Sequence, residues 1–143
     1  MPEEIPIVPL ASSEREAFEC FETLAVEGIV DVRGQRIEVD LGDYVHVVHD
    51  EERILFIPWI LPTITDPTQI ISIRRRKRGK RITVDHYVRR LRESEDDAEG
   101  SLFVVVVERT PWGLRLRTWL SPVLQEEYVE KLRAKGEVIW RAG

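Results

Sequence analysis

The chain predicts an α+β fold: a small antiparallel sheet of about four strands plus an N-terminal hairpin, with helices packed mainly on one face. Three observations carry that expectation. Ile82, Val84, His86 and Val88, and again Leu114, Leu116, Thr118 and Leu120, alternate with polar neighbours at the period of a half-buried strand. Residues 102–107 are apolar without interruption, as a central strand covered on both faces requires. The helical stripes, with their capping signals, fall outside this strand-rich stretch.

Each element follows from local chemistry. Ser13 and Glu16 form a capping box, and a helix runs to about Glu27 with Phe18, Phe21, Leu24 and Ala25 on one stripe. Gly28 stops it. Val30 and Val32, then Ile37, Val39 and Leu41, alternate with charges as a hairpin around Gly34. Asp43 caps a second helix that buries Tyr44, Val45, Val48, Ile54 and Leu55. Pro58 and Pro62 turn the next apolar stretch into one or two helical turns, a kink and a loop. Asp66-Pro67 leads into a hairpin over residues 70–88. Residues 89–100 read as a polar, acidic, mobile loop, and residues 110–113 as a turn. Residues 125–134 form a short helix, and residues 137–140 an edge strand.

Length and composition bound the rest. The 143 residues suit one domain with a single core. No window approaches the roughly 18 apolar residues that span a bilayer. The N-terminus lacks a basic, apolar leader, and Cys20 is the single cysteine, so the chain reads as cytoplasmic and free of internal disulfides. Charge is strongly segregated. Residues 1–69 hold fifteen carboxylates against four arginines, whereas residues 70–92 hold ten cations against Asp85 alone. Seven of the eight residues from Arg74 to Arg81 are cationic: Arg74, Arg75, Arg76, Lys77, Arg78, Lys80 and Arg81. Either the acidic segment folds onto this run and neutralises it, or the run meets a polyanion.

The residues favour nucleic acid over metal chemistry. His46, His49 and Asp50 share one region, but zinc needs three or four ligands and no second cluster exists, so neither metal nor cofactor is expected. There is no phosphate-cradling glycine loop. The hairpin cations, with Arg115, Arg117 and Trp119 on the polar alternation of residues 114–120, supply phosphate contacts and a stacking ring. In the alternative, Trp119 is covered by the C-terminal helix and the arginines pair with the acidic loop. Metal-free RNA cleavage requires a base, an acid and a cation at the phosphate. Only His46, His49 and His86 suit the proton roles near neutral pH, and His86 sits on an apolar strand face as a core histidine does.

His46, Arg53, the stretch Ile-Leu-Pro-Thr-Ile-Thr-Asp-Pro-Thr-Gln-Ile at residues 60–70, the basic strand with Tyr87, residues 102–107, Thr118 and the terminal Gly-Glu-Val-Ile-Trp at 136–140 resemble a phage-associated branch of the barnase–EndoU–colicin E5/D–RelE-like nucleases. The resemblance covers residues 37–140, an RNase-like core, and leaves residues 1–36 as an extra acidic arm, helix and strand. It implies a curved sheet with an RNA-cleaving open face. His46 would be general base or acid, Arg53 or Arg81 would hold phosphate, and Tyr87 and Thr118 would donate to it. Thr118 departs by falling on the apolar alternation of its strand.

The expected function is therefore a metal-independent, ribonuclease-like, toxin-like domain acting on RNA. Two alternatives stand beside it. One is a non-catalytic module whose hairpin, residues 70–88, binds nucleic acid or an acidic protein partner or inhibitor. The other is a homodimeric structural or regulatory protein whose acidic segment masks the basic ribbon.

Overall fold

The computed structural model describes residues 4–122 and 125–143. Helix α1, Glu14–Glu27, starts where Ser13 accepts the Glu16 amide at 3.1 Å. The returning carboxylate reaches one residue further than a capping box, to the Ser12 amide and hydroxyl at 3.2 and 2.6 Å. Gly28, at φ +71°, ends the helix by donating to the Leu24 carbonyl. Ala17, Phe21 and Leu24 are buried. Phe18 lies at the margin, edge-on to Tyr44.

The expected N-terminal hairpin forms as β1, Ile29–Val30, and β2, Arg36–Glu38. Ile37 and Val39 are buried as expected, but the first strand is one residue out of phase with expectation. Ile29 and Asp31 are buried and Val30 is exposed, because Asp31 is drawn inward by a buried tyrosine described below. The second helix begins earlier and breaks. Asp40, not Asp43, caps α2, Leu41–Val47, by accepting the Gly42 amide at 2.7 Å. Asp50 then caps α3, Glu51–Leu55. Tyr44, Val47 and Ile54 face the core, while Val45 is exposed. The expected helical turns form, as a 3-10 turn, Ile57–Trp59, but run on into α4, Ile60–Thr65, in place of the expected kink and loop. Pro58 and Pro62 stand in the first turns of these segments, where an amide would have no intrahelical acceptor.

The sheet is larger than expected: one seven-stranded sheet in the order β1-β2-β6-β5-β4-β3-β7. Its remaining strands are β3, Gln69–Lys77; β4, Lys80–Leu91; β5, Ser101–Thr110; β6, Gly113–Leu120; and β7, Glu137–Arg141. The N-terminal hairpin is not separate. β2 joins β6 in parallel through Ile37 and Leu114, and the other neighbours are antiparallel. Periodicity reports which face a strand buries, not which distant strand it pairs with, so this join is invisible in the sequence. β3 and β4 close on Arg78 and Gly79, both at positive φ (51° and 75°). That two-residue turn matches the strand twist.

Four helices and the 3-10 turn cover one face. Phe21, Ile54, Trp59 and Ile64 pack there on Tyr87, Phe103, Val105 and Trp119. Helix α5, Gln125–Lys135, covers the other, with Val129 and Leu132 on Ile71, Val84 and Val104. β5 runs between the two cores, as its unbroken apolar run predicts. β4 outlasts the expected strand by reaching Leu91, and the arm crosses its end: the Val8 amide donates to the Arg92 carbonyl at 2.9 Å. No helix among the described residues is long and apolar enough to cross a membrane.

The turn from α5 into β7 depends on a close approach. A Cβ on Gly136 would stand 2.7 Å from the Ser72 carbonyl oxygen and 2.8 Å from Ile73. Gly136→Ala is expected to lower stability by about 1–3 kcal/mol through this overpacking. An unchanged urea midpoint would show that β7 shifts without cost.

Candidate functional site

A one-residue irregularity in β6 decides where the expected site residues point. Val106 pairs with Thr118 and Val107 with Leu116, so Arg117 is an extra residue in the strand. Such a bulge switches the parity of everything beyond it. Leu114 and Leu116 face α1–α4 before it, and Trp119 does so after it, opposite Val105. Thr118, opposite Val106, and Leu120, which packs against the second core, turn toward α5. Trp119 is consequently fully buried: its indole donates to the Arg53 carbonyl at 2.7 Å, and its ring lies 5.4 Å from Phe21. The ring is covered, as one of the two readings had it, but by α1 and not by the C-terminal helix.

Arg53 completes a reciprocal clasp. Its Nε donates to the Trp119 carbonyl at 3.0 Å, and its amino group donates to the Thr118 hydroxyl. β2 stops pairing at Glu38 and Arg115, so the guanidinium caps the free edge of β6 just beyond. Two of the four expected catalytic residues, Arg53 and Thr118, are thus in contact.

Tyr87 belongs to a different arrangement, on the α1–α4 face. Its hydroxyl donates to Asp31 at 2.7 Å and accepts from Arg33 at 3.0 Å. Arg33 also donates to Asp31 at 3.1 Å and stands 3.7 Å from Asp85. Asp85 in turn accepts from Arg109 Nε at 2.9 Å. Asp31, Asp85 and Tyr87 are buried. Burial pushes the Tyr87 hydroxyl well above its ordinary range, reinforced by its bond to Asp31. Burial acts to raise Asp31 too, but donors from Tyr87, the Gln35 amide and Arg33 outweigh it and hold the carboxyl below its usual value. The phenolic proton is committed to Asp31.

His46 and His49 stand apart from both arrangements. His46 lies exposed in α2 and His49 exposed just beyond it. His86 is the core histidine its strand position predicts. Its Nδ1 is 3.3 Å from the Ile71 carbonyl, and burial depresses its pKa to about 4.

The basic run forms an exposed tip. Among the described residues, none of the seven cations from Arg74 to Arg81 has a carboxylate within ion-pair distance. The acidic segment meets Arg33, Arg53, Arg89, Arg92 and Arg115 instead. Clefts open at the base of the tip on both faces. The first, about 420 Å³ on the α5 face, is lined by Arg75, Arg76, Lys77, Arg117 and Thr118, with His86 and Tyr128. The second, about 510 Å³ on the opposite face, is lined by Ser72, Arg74, Thr83, Arg109, Lys135 and Glu137. His46 lines neither. Arg115 is held toward Asp40 and Asp43. Among the described residues no three His, Cys, Asp or Glu side chains converge as metal ligands.

Sequence reasoning missed Asp31, Arg33, Asp85, Arg109 and Tyr128. Asp85 offered a signal, as the lone carboxylate among ten cations. The others carried none without the strand pairing.

Two stability effects follow. Tyr87→Phe removes a donor from buried Asp31 and an acceptor from half-buried Arg33, and is expected to cost about 1–3 kcal/mol in chemical denaturation. For His86, the unfolded chain takes up a proton near the ordinary pKa of 6.5, and the folded chain only near 4. The unfolded state therefore binds more protons between those values, and stability is lost as pH falls through that window. The loss attributable to His86 is about 3 kcal/mol. His86→Gln is expected to flatten the fall in urea midpoint between pH 7 and 4.

The family model described as phage-Barnase-EndoU-ColicinE5/D-RelE like nuclease2 matches residues 16–141. No curated protein and no solved structure matches the chain. The match begins within α1 and takes in β1 and β2, so most of the acidic segment that the resemblance left outside the core lies in the matched region. The bulged strand, the basic hairpin and the acidic helices all fall in that one span, and the chain belongs to this phage-associated barnase–EndoU–colicin–RelE-like nuclease family.

Proposed function

We propose that this chain acts on RNA as a metal-independent, ribonuclease-like domain, with the α5-face cleft as its site. The observation that carries the reading is the tip of seven cations without carboxylate partners among the described residues, standing over a cleft that already holds a tethered hydroxyl. Phosphate is the natural counterion of such a tip, and its attraction is sequence-independent. Within the cleft, Arg75, Lys77 and Arg117 supply the positive charge that a pentacoordinate phosphate demands. Thr118 donates to a phosphate oxygen, and Arg53, bonded to that hydroxyl, is its positioning residue. Tyr87 is less suited to this donor role, because its proton is held by Asp31 on the other face.

Proton transfer is assigned to His46, on the strength of the resemblance. Its place outside both clefts favours a second reading, in which the hairpin binds RNA without cutting it.

Incubation of pure protein with mixed tRNA and rRNA in EDTA separates these readings. Discrete fragments are expected from wild type. Thr118→Val should slow their formation about a hundred- to thousand-fold, the scale of one lost transition-state donor. His46→Ala should abolish it. Intact RNA that still shifts on a native gel, with a salt dependence reduced by neutralising Arg75, Arg76 and Lys77, would support the binding module. RNA neither cut nor bound would remove both readings.

A further inference from the structure

We infer that the cleft on the α1–α4 face is a second phosphate-binding subsite, and that an RNA strand crossing the hairpin tip engages both clefts. The inference rests on the reading that the tip takes RNA. Its geometry is independent of the first cleft.

The register sets Arg74, Thr83 and Arg109 in one row across β3, β4 and β5. Adjacent strands lie about 4.8 Å apart, so two cations flank a hydroxyl across about 10 Å. Lys135 adds a third cation, against Glu137 as the one carboxylate of the lining. Two residues further along, Arg76 and Arg81 pair on the same face and continue the basic track toward the tip.

Arg109 is more than a surface charge. Its side chain is 41% exposed, while Asp85, which accepts its Nε at 2.9 Å, is fully buried. The tether leaves the two amino groups of the guanidinium for the cleft. Asp85 is itself braced by Arg33, which is bound to Asp31 and Tyr87. A guanidinium fixed in this way loses little freedom when it takes up a planar or tetrahedral oxyanion. The network of five side chains, of which Asp31, Tyr87 and Asp85 are buried, thus has a use beyond joining β1 and β2 to the sheet: it holds one arginine ready at the mouth of a cleft. An oxyanion fits this lining, and the continuous basic track selects the phosphates of a strand over an isolated ion.

The test is amide-resolved NMR on the full chain, titrated separately with inorganic phosphate and with a short oligouridylate. Both probes are expected to shift the amides of Thr83, Arg109 and Gly136, and the oligonucleotide should also shift Thr118. Arg109→Lys keeps the charge but not the tethered fork, and should weaken the phosphate response at Thr83 about tenfold or more. Arg109→Ala should remove it while the oligonucleotide response at Thr118 persists. No shift at Thr83 or Arg109 with either probe would overturn the subsite, even with RNA bound at Thr118. A phosphate response without an oligonucleotide response there would overturn the strand-crossing claim. Arg109→Lys binding phosphate as wild type does would overturn the role of the tether. Failure of the RNA reading itself registers separately, as loss of the response at Thr118.

Discussion

One inserted residue, Arg117, governs the arrangement of this protein. Without it, the strict alternation of β6 would carry Trp119 onto the α5 face and Thr118 into the packed core under α1–α4. The bulge reverses both. It buries the largest side chain of the strand against Phe21 and turns a hydroxyl toward the basic strand β3. A bulge interrupts the ladder, so the disrupted edge needs other partners. Arg53 supplies them, donating to both residues beyond the bulge, and its own carbonyl takes the indole proton. The short helix α3 and the edge of β6 are therefore fastened at the point where the cleft begins. Stability and site geometry are the same contact here.

Charge is distributed by an equally physical logic. Carboxylates of the acidic half compensate arginines outside the tip, at the loop after β1, at α3, at the far end of β4 and on β6. Burying the carboxylates of Asp31 and Asp85 is tolerable only because Tyr87, Arg33 and Arg109 bond to them, since a lone buried charge costs several kcal/mol. Among the described residues the tip receives no such compensation. Seven like charges within one hairpin repel each other over about 10 Å at ordinary ionic strength, and the ladder with its two-residue turn must hold against that repulsion. Such a tip is suited to an anionic partner that relieves the repulsion on arrival.

The parts of this design that local chemistry controls were legible in the chain. Ser13 and Gly28 bound α1 as their side chains require, Gly79 sits in the turn, and residues 102–107 form a strand covered on both faces. His86 is buried, as its apolar strand face implied. Failures arose where a local rule has two solutions. Asp40 and Asp43 are both competent caps, and the one nearer the preceding strand took the role. Pro58 and Pro62 forbid a helix interior but fit a helix start, so the expected helical turns run on where a kink and loop were expected. Of the candidate site, the cationic residues and Thr118 could be named beforehand. Their division between two faces could not, because it depends on the parity shift at Arg117 and on a tyrosine whose partner lies 56 residues away in sequence.

The sequence by itself determined the class of fold, the hairpin and its charge, and a nuclease-like resemblance. These rest on side-chain periodicity, capping chemistry and composition, which act within a few residues. Tertiary structure alone decided that the N-terminal hairpin extends the sheet, that α5 covers a second face, and that Tyr87 and Thr118 stand on opposite sides. It also decided that the basic tip is left without carboxylate partners among the described residues. The reason is common to all four. Strand partnership, bulge parity and long-range ion pairing are chosen by global packing, where buried area and satisfied polar groups across the whole sheet outweigh any single local preference.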